Sequence, residues 1–367
     1  MSAAPPSSHR SSQIAHARHA LLGGGAPLHA GIEPWITRSW QRCLAAGQRP
    51  GQRVVFDAVS APRLRQVQEH SRTLLRAARP VLEQLARAIA GMRYFAILTD
   101  ARGTVVDVQG AQGHGDPRAR AIGRVGIDLS EAAVGTTAIG AALTELQPVW
   151  LHRGEHFFDD NQGYSCAGAP LFGPQGECIG MLDLTGVDVP ERPELRHLVA
   201  RSARAMEDAL LLQTPHALLL RLNWPGCALG HEGDGLLTLD ADGYVVGSNG
   251  MARQLLPQPL QTPGSRLHCD ELLALPWGML FDAARRGSAA PIALPVWSGL
   301  RLQGLALLPE QATTTLVLPP SGTAPLRAAE TALIRQAVQD ARGNVAEAAR
   351  ALGISRATVY RKLGARE

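Results

Sequence analysis

The chain of 367 residues contains almost no lysine. Lys362 is the only one, so the other 35 of its 36 basic residues are arginines. A P-loop ATPase needs the pattern GxxxxGK[ST], because its lysine reaches the β- and γ-phosphates of the nucleotide. Lys362 stands in a basic helical pattern near the C-terminal end, with no such glycine-rich turn before it. The sequence therefore excludes a P-loop ATPase domain within these residues.

Cysteines and long apolar runs are also scarce. The cysteines are scattered, odd in number and never spaced CxxC, and they are Cys43, Cys166, Cys178, Cys227 and Cys269. This spacing indicates reduced thiols and provides no zinc site. No apolar run approaches the roughly 18 residues of a membrane-spanning helix, and the N-terminus lacks a signal-peptide layout. We expect a cytoplasmic protein with no membrane contact, no metal and no cofactor.

Three short helices joined by tight turns are predicted for residues 326–367. The first shows apolar residues at helical spacing. The second begins at Asn344, its N-cap, and Glu347 stands three residues later, where it can complete a capping box. Gly353 supplies the left-handed position that ends this helix, and Ser355 caps the third.

A helix, a short glycine-containing turn and a second helix form the geometry that places the second helix in the major groove of DNA. Short hydroxyl, amide or guanidinium side chains near its start meet bases, and basic residues further along meet phosphates. Residues 327–367 hold seven arginines and one lysine against four acidic residues, a net charge of +4. The predicted DNA-binding residues are Asn344, Ser355, Arg356, Thr358, Tyr360, Arg361 and Lys362. The alternative is a helical hairpin for dimerisation whose charges are only solvated.

The run GNVAEAARALGISRATVYRKL, from Gly343 to Leu363, resembles the C-terminal helix-turn-helix of the Fis family. That family includes the Fis nucleoid protein and the C-termini of many bacterial sigma-54-dependent activators. The resemblance covers about a tenth of the chain. It implies double-stranded DNA as a partner and a dimer on a two-fold-related site.

The N-terminal part of the chain changes from a polar tail to helices. Residues 1–30 are rich in Ser, Pro, Ala, His and Gly, show no sustained period and are predicted to be a disordered tail. Residues 31–80 are predicted to be a helical region, with tryptophans at helical spacing. A longer helical stretch covers 62–90, in which Pro80 would start or kink a helix. These helices either pair between subunits or pack onto the next domain.

Residues 94–187 change character to strands and turns, which predicts an α+β sensor module over residues 81–213. Two hairpins are expected, and a helix begins near Thr136 between them. The expected strands cover 94–99, 104–108, 148–152, 166–172 and 177–186, and a closing amphipathic helix covers 193–212. An antiparallel sheet with flanking helices follows from this order.

This order resembles a GAF domain, and more closely the N-terminal region of the acetoin-catabolism regulator family. The matching phrases are SWQRC (39–43), DLSEAAVGTTAIGAAL (128–143), EHF (155–157), SCAGAPLF (165–172) and GMLDLTG (180–186). The resemblance implies the sensing of a small metabolite in a pocket between the sheet and the segments that cross one face. The predicted effector-binding residues are Thr136, Thr137, His156, Phe157 and Cys166. Thr137 departs from the family, which commonly has Asn there, and this departure allows a different effector.

Residues 218–318 form a second candidate sensor domain. The stretch DGLLTLDADGYVVGSNGMARQLL is similar to the start of a PAS domain, and a helix is expected from Asn249. The expected strands cover 235–239, 244–247, 292–296, 300–308 and 313–318. The alternative is a structural spacer that makes dimer contacts. Residues 319–325 are rich in proline and indicate a semi-rigid linker.

An enzyme is the rival class, because some GAF-fold proteins reduce methionine sulfoxide with cysteines. Nothing in the sequence places a thiolate-activating base or a resolving cysteine beside Cys166 or Cys178, and both are better explained as small core residues. The histidines between residues 114 and 156 lack the HExxH pattern of a zinc site, and a surface or pocket histidine is the better explanation for each. No catalytic residues are predicted.

The sequence as a whole predicts a multidomain α+β protein with a GAF-like sensor, a PAS-like middle domain and an all-α C-terminal helix-turn-helix. We interpret it as a cytoplasmic, homodimeric transcription regulator controlled by a small-molecule effector. Without a P-loop it cannot remodel sigma-54 polymerase by ATP hydrolysis, so it acts by occupying DNA or by pairing with RNA polymerase or another regulator. The alternative is a GAF-fold redox enzyme fused to a DNA-binding tail.

Overall fold

The computed structural model describes residues 6–22, 32–110, 115–256, 266–287 and 290–309, together with positions 338, 344–346 and 356. The chain divides into two compact units, Met1–Pro309 and Glu310–Glu367. Two five-stranded antiparallel sheets lie in the first unit, and helices pack on both. No helix among the described residues has the length and apolar character needed to cross a membrane.

The first sheet consists of two hairpins and one further strand, as the sequence predicts. Its strands are β1 (Tyr94–Asp100), β2 (Val105–Gln109), β3 (Val149–His152), β4 (Tyr164–Phe172) and β5 (Cys178–Val187), in the order β2-β1-β5-β4-β3. Successive side chains of a strand point to opposite faces, so Phe95 and Ile97 enter one core while Ala96 enters the other. Both faces are covered, which explains why the strands are apolar at nearly every position.

Helices cover both faces of this sheet. One face carries α2 (Pro34–Ala45), α5 (Pro117–Ile122), α6 (Glu131–Val134) and α7 (Ala138–Glu145), and the other carries α3 (Ala61–His70), α4 (Arg72–Ile89) and α8 (Leu195–Gln213). Proline in the first turn of α2 and α3 suits a helix start, because the N–H that proline lacks has no partner there. Pro80 lies inside α4, so of the two expectations for this residue the helix start is wrong, and the kink stays a prediction.

The expected disordered tail is also wrong for residues Pro6–Leu22, which form helix α1. Ile14 and Ala17 of α1 are buried in the core that α2 and α7 share. The apolar stripe of α1 that packs on this core consists of Ile14, Ala17 and Leu21, which is narrow for a helix of 17 residues. The other contacts of α1 include polar bonds to residues more than a hundred positions away, which no local period can reveal.

The second sheet follows α8 in the chain. Its strands are β6 (Leu218–Asn223), β7 (Gly235–Leu239), β8 (Val245–Ser248), β9 (Ile292–Pro295) and β10 (Arg301–Leu307), in the order β8-β7-β6-β10-β9. Helices α9 (Gly250–Leu255) and α10 (Gly278–Arg285) contribute to its apolar core. Asn249 is the N-cap of α9, since its Oδ1 accepts from the backbone N–H of Ala252 at 2.9 Å. The strand expected over 313–318 lies outside the described residues.

Strand β6 was missing from the sequence prediction, and a buried charge explains the omission. Arg221 interrupts the apolar pattern of β6, although its side chain is only 6% exposed. Its Nη1 lies 3.2 Å from Oδ2 of Asp234, which is itself fully buried. Because the neutralising carboxylate comes 13 residues later in the chain, no pattern within the strand indicates that Arg221 is buried.

The C-terminal unit is described at few positions. Val338, Val345, Ala346 and Arg356 are helical, and Arg356 is exposed. Asn344 Oδ1 accepts from the backbone N–H of Ala346 at 3.2 Å, which agrees with the predicted cap. The linker 319–325 and the other predicted DNA-binding residues lie outside the described residues, namely Ser355, Thr358, Tyr360, Arg361 and Lys362.

Candidate functional site

A small cavity lies on the face of the first sheet that α7 covers. It measures about 20 Å³, space for about one water molecule. The apolar lining residues are Phe56, Ile122, Leu129, Ala138 and Ile139, and the polar ones are Thr137, His156, Asn161, Tyr164, Cys166, Asp183 and Thr185. None of these lining residues is an arginine or a lysine.

Strands β4 and β5 bring three of the polar residues together. Cys166 and Thr185 are direct partners in the antiparallel register, and Asp183 lies on the same face of β5 as Thr185 because the two are separated by one residue. The Thr185 hydroxyl donates to Asp183 Oδ2. Cys166 Sγ lies 3.3 Å from Thr185 Oγ1. A polar chain of Cys166, Thr185 and Asp183 therefore crosses the sheet side of the cavity.

Asp183 carries the first unpartnered acceptor. The residue is fully buried, and its Oδ1 has no hydrogen-bond partner among the described residues. Burial raises the pKa of this carboxyl from 3.8 to about 7, because desolvation disfavours the charged form more than the Thr185 hydroxyl supports it. Near neutral pH the carboxyl is therefore poised between its two protonation states. Burial also raises the pKa of the Cys166 thiol, which is neutral as a result.

His156 carries the second unpartnered acceptor. It follows the 3₁₀ turn Arg153–Glu155, and its Nδ1 lies 3.0 Å from the carbonyl oxygen of Arg153. Since a carbonyl only accepts, Nδ1 carries the proton and Nε2 is an acceptor. Nε2 has no partner within the described residues. Burial lowers the pKa of this imidazole to about 4, so the ring is neutral at pH 7.

Asn161 carries the third unpartnered acceptor. Its Nδ2 donates to the carbonyl oxygen of Val134 at 3.0 Å, which fixes the orientation of the side-chain amide. Oδ1 is then left without a partner in the part of the chain that the structure describes. Buried polar atoms in proteins are nearly always paired, so three unpartnered acceptors around one cavity require an explanation.

Three of the five predicted effector residues line this cavity: Thr137, His156 and Cys166. The Thr137 hydroxyl has a local role as well, because Oγ1 accepts from the backbone N–H of Gly140 at 3.2 Å and caps α7. The N–H of Gly140 is therefore not free to bind a ligand oxygen.

The other two predicted residues lie outside the lining. Thr136 is fully buried behind the cavity, where its hydroxyl lies 2.7 Å from Ser39 Oγ. Phe157 packs edge-on against Phe158, with ring centroids 5.2 Å apart. Both stabilise the segments that carry lining residues without contacting the cavity.

Sequence reasoning missed Asn161, Asp183 and Thr185. A signal for the last two is present in the phrase GMLDLTG, where polar residues occupy alternate positions of an apolar run. That period of two places both side chains on one face of a strand that is otherwise buried. A carboxyl at such a position has to meet a partner or a site.

An ion pair between Arg42 and Glu131 joins two of the segments that match the family, SWQRC (39–43) and the start of 128–143. Arg42 donates to both oxygens of Glu131, from Nε to Oε1 at 2.6 Å and from Nη2 to Oε2 at 2.8 Å. The Ser39 hydroxyl donates to Glu131 Oε2 at 2.5 Å. This two-pronged geometry is the strong form of an arginine–carboxylate bond. It fixes α2 to α6 and so holds the segment that leads into α7.

The two cysteines of the first sheet lie too far apart to act as a redox pair. Cys166 pairs with Thr185 at one end of the β4–β5 ladder, whereas Cys178 pairs with Phe172 at the other end. Between Cys166 and Phe172 the strand advances by roughly 20 Å, at about 3.3 Å per residue. Disulfide formation needs Cα atoms within roughly 7 Å. Burial raises the pKa of both thiols, which further disfavours the reactive thiolate.

One group of potential metal ligands occurs among the described residues. His268, Cys269 and Asp270 each place a ligand atom within 4.8 Å of the others. Their polar atoms already have protein partners, since Asp270 Oδ1 accepts from the N–H of Trp277 at 2.8 Å and His268 Nδ1 accepts from the N–H of Asp270 at 3.3 Å. The arrangement is explained as the cap of a 3₁₀ turn, Cys269–Glu271.

Comparison with protein families decides the affiliation of the first unit. The family described as MimR, N-terminal domain, matches residues 11–208, more than half of the chain. The chain belongs to this family. A second family, described as bacterial regulatory protein, Fis family, matches residues 325–365 and confirms the predicted helix-turn-helix at the C-terminal end.

Curated relatives support the same affiliation. The chain is 32% identical to the acetoin catabolism regulatory protein of Cupriavidus necator over 256 residues, 68% of this chain and 37% of that protein. It is 30% identical to the propane 2-monooxygenase operon transcriptional activator MimR of Mycolicibacterium goodii over 234 residues, 60% of this chain and 38% of that one. Identity to the acetoin dehydrogenase operon transcriptional activator AcoR of Bacillus subtilis is 31% over 180 residues, 48% of this chain and 29% of that one. The chain thus spans less than two fifths of the length of these three relatives.

Among solved structures, the MimR-type chain is similar to one from the E. coli DhaR(N)–DhaL complex. The match has 17% sequence identity and a TM-score of 0.45, and it covers 75% of this chain and 99% of that one.

Proposed function

We propose that this chain is a sequence-specific DNA-binding transcription regulator, controlled by a small effector that binds in the cavity of the first sheet. The Fis-family match over residues 325–365 supports the DNA-binding part. The names of relatives, which are regulators of catabolic operons, support the regulatory part. Lys362 is the only lysine, so the chain has no P-loop and acts without hydrolysing ATP itself.

The wider assembly is proposed on the same basis. The chain acts as a homodimer, because Fis-type recognition of DNA uses two helices on a two-fold-related site. RNA polymerase or another regulator is the further partner. The second sheet is a PAS-like domain in this proposal, and it lies between the effector cavity and the DNA-binding end in the chain.

The chemical class of the effector is proposed from the unpartnered atoms of the cavity. His156 Nε2 and Asn161 Oδ1 are acceptors, and Asp183 Oδ1 becomes one when the carboxyl is ionised. A ligand that relieves them has to donate hydrogen bonds, and leaving such groups unpaired costs about 1–3 kcal/mol each. Hydroxyl groups on an otherwise apolar small molecule meet this need within an apolar lining.

The same lining disfavours an anionic effector. No arginine or lysine is among the lining residues, and Asp183 would repel a carboxylate. The cavity of about 20 Å³ also has to expand for any ligand larger than water, which favours molecules of few heavy atoms. Short diols, hydroxyketones and alcohols fit both conditions, whereas a nucleotide fits neither.

Thermal-shift measurements with a matched four-carbon series test this proposal. The compounds are 2,3-butanediol, 3-hydroxy-2-butanone, 2,3-butanedione and butyrate, which differ in donors and charge but little in size. We expect the first two to raise the melting temperature, since a ligand at a hundred times its Kd stabilises the folded state by about 2.7 kcal/mol. The dione and butyrate should have no effect. A shift with butyrate alone, or with none of the four, contradicts the assignment of the cavity.

Variants connect any shift to the cavity. His156→Ala removes one acceptor, and Thr137→Val removes a hydroxyl from the lining, so both should reduce the shift with 2,3-butanediol. His197→Ala is the matched control, because His197 is exposed on α8. Variants that respond as the wild type does would place the ligand elsewhere.

A further inference from the structure

Helix α1 is bonded to the loop that carries His156. The Arg18 guanidinium donates to the carbonyl oxygens of Gly154 at 3.2 Å and Phe157 at 2.9 Å, and also to the carbonyl oxygen of His156 itself. Its Nη2 lies 2.8 Å from Asp159 Oδ1. One side chain therefore holds four groups of a six-residue loop, 154–159. The Arg18 side chain is only 12% exposed, so its bonds to the three carbonyl oxygens are partly shielded from water, whereas the Asp159 side chain is 54% exposed.

A second arginine of α1 anchors the start of the same loop. Arg10 forms an ion pair with Glu155, and its guanidinium lies 4.8 Å from the ring centroid of Trp150. Glu155 is fully buried, and its Oε2 accepts from the backbone N–H of His152 at 2.7 Å. Burial raises the pKa of this carboxyl to about 7, and Arg10 opposes that shift. Glu155 thus depends on α1 for its only cationic partner within the described residues.

Between the two arginines, α1 contacts the loop through an apolar side chain. Ile14 stands between Arg10 and Arg18 on α1 and is 6% exposed. It packs on Gly154, where a Cβ would lie 3.3 Å from Ile14 Cγ2. A larger residue at 154 would therefore push α1 away from the loop.

We propose that Arg18 is a positioning residue of the effector site. It fixes the loop 154–159 by its carbonyl oxygens, and so holds His156 Nε2 at the cavity. This inference rests on the proposed function, since it assumes that the cavity binds the effector. Because coupling between two binding equilibria is reciprocal, an effector that requires the ordered loop also strengthens the docking of α1.

Hydrogen exchange of the full chain, without any effector, tests the positioning role. The amides of His156, Asp159 and Asn161 are hydrogen-bonded in the structure and report on the order of the loop. Arg18→Met keeps an unbranched apolar stem but removes every donor, so exchange in the peptide 153–161 should become at least about tenfold faster. Arg79→Met is the matched control, because Arg79 is exposed on α4. Unchanged exchange in the Arg18 variant overturns the proposal.

A milder variant distinguishes the loss of the Arg18 hydrogen bonds from misfolding of the whole protein. Arg18→Lys keeps the charge but has a single ammonium in place of the planar fork, and it cannot reach all four acceptors. We expect an exchange rate between those of the wild type and Arg18→Met. An exchange rate as slow as in the wild type would mean that charge alone is enough, which contradicts the role of the fork.

A double-mutant cycle separates positioning from general stability. With 2,3-butanediol as the probe, Arg18→Met should raise the Kd about tenfold in the wild type but less than about twofold when His156 is already alanine. Equal effects in both backgrounds would show that Arg18 does not act through His156. If the diol binds to none of these proteins, the proposed effector class fails, whereas the exchange measurement still decides whether Arg18 orders the loop.

Discussion

Asn249 Nδ2 donates to Asp208 Oδ1 at 2.9 Å, and this bond joins helix α8 on the first sheet to the start of α9 on the second. The same amide nitrogen donates to the carbonyl oxygen of Asp234 at 3.0 Å. Asn249 Oδ1 accepts from the backbone N–H groups of Leu236 and Ala252, each at 2.9 Å. All four hydrogen bonds available to an amide are made, at a residue that is 5% exposed. Asn249 is therefore the junction between the two sheets' helices.

Replacement of Asn249 by alanine should destabilise the protein strongly. It leaves two backbone N–H groups, one carbonyl and the Asp208 carboxyl without this partner, at about 1–3 kcal/mol for each buried group that stays unpaired. We expect a loss of at least about 3 kcal/mol in urea unfolding. Gln68→Ala on the exposed side of α3 should change stability by less than about 0.5 kcal/mol. A loss below about 1 kcal/mol for Asn249→Ala would mean that water replaces the amide at the junction.

The titration of Asp183 should appear in the pH dependence of stability. Its pKa is about 7 in the folded protein and 3.8 is its ordinary value, so the folded state binds more protons between these pH values. The stability from the protonated carboxyl is full below about pH 4 and is lost as pH rises through about 7. Asp183→Asn cannot titrate, so its stability relative to the wild type should increase from about pH 5 to about pH 7.5. The upper limit is roughly 1.4 kcal/mol per pH unit.

The quantity to measure is the difference in unfolding free energy between the wild type and Asp183→Asn, because two histidines also titrate in this pH range. His152 and His156 have pKa values lowered to about 4, so they add stability as pH rises from about 4 to 6.5, in the opposite direction to Asp183. Their contribution is common to the wild type and to Asp183→Asn and cancels in the difference. Parallel curves for the two proteins would show that Asp183 is ionised in the folded state at all these pH values.

Two helix glycines should respond to alanine with opposite signs. A Cβ on Gly140 would lie 2.9 Å from the backbone nitrogen of Glu131, so Gly140→Ala forces α7 away from α6. Such overpacking costs about 1–3 kcal/mol and exceeds the helix-propensity gain of about 0.5–1 kcal/mol. Gly278 on α10 has nothing within 4 Å of its virtual Cβ, so Gly278→Ala should be neutral or slightly stabilising. Thermal unfolding of both variants gives the signs, and equal signs would contradict the tight packing at Gly140.

Much of the first sheet could be predicted because its signals are local. The turns at residues 100–103 and 173–176 separate apolar runs, and strands β1, β2, β4 and β5 follow from them. The alternation of Asp183 and Thr185 is equally local, but it does not indicate that this face of β5 borders a cavity. Local period therefore predicts the strands, and only the register of β4 with β5 brings Cys166 and Thr185 together.

The parts that sequence reasoning missed depend on distant partners. Helix α1 has a short apolar stripe, and its docking depends on Arg18 reaching Asp159, 141 residues away. Strand β6 contains Arg221, whose buried partner Asp234 belongs to another segment. His156 lines the cavity, and its unpartnered Nε2 depends on a turn that points Nδ1 at the carbonyl oxygen of Arg153. Charge neutralisation across the fold decides the first two cases and a local hydrogen bond decides the third, and hydrophobic periodicity contains neither.

The chain should neither bind nor hydrolyse ATP. A P-loop lysine is required to reach the β- and γ-phosphates, and Lys362 stands within the Fis-family match over residues 325–365. Purified protein should show no ATP-dependent thermal shift and no phosphate release above that of a buffer blank. A promoter that it controls should keep its response in a strain without sigma-54, unless a partner activator supplies the ATPase. ATP-dependent stabilisation would contradict the prediction directly.

We predict that the recognition helix carries two classes of residue, one that contacts bases and one that contacts phosphates. Arg356→Ala or Thr358→Ala should relax base preference, at about 1–3 kcal/mol for each good base contact that is lost. Arg361→Ala or Lys362→Ala should weaken binding to all sequences and reduce the slope of log K against log salt by about one unit. Arg79→Ala on α4 is the matched control and should leave both quantities unchanged. Fluorescence anisotropy with specific and scrambled duplexes at several salt concentrations separates the two classes. The assignment of DNA binding to residues 326–367 is wrong if a protein truncated at Pro325 binds DNA as tightly as the full chain does.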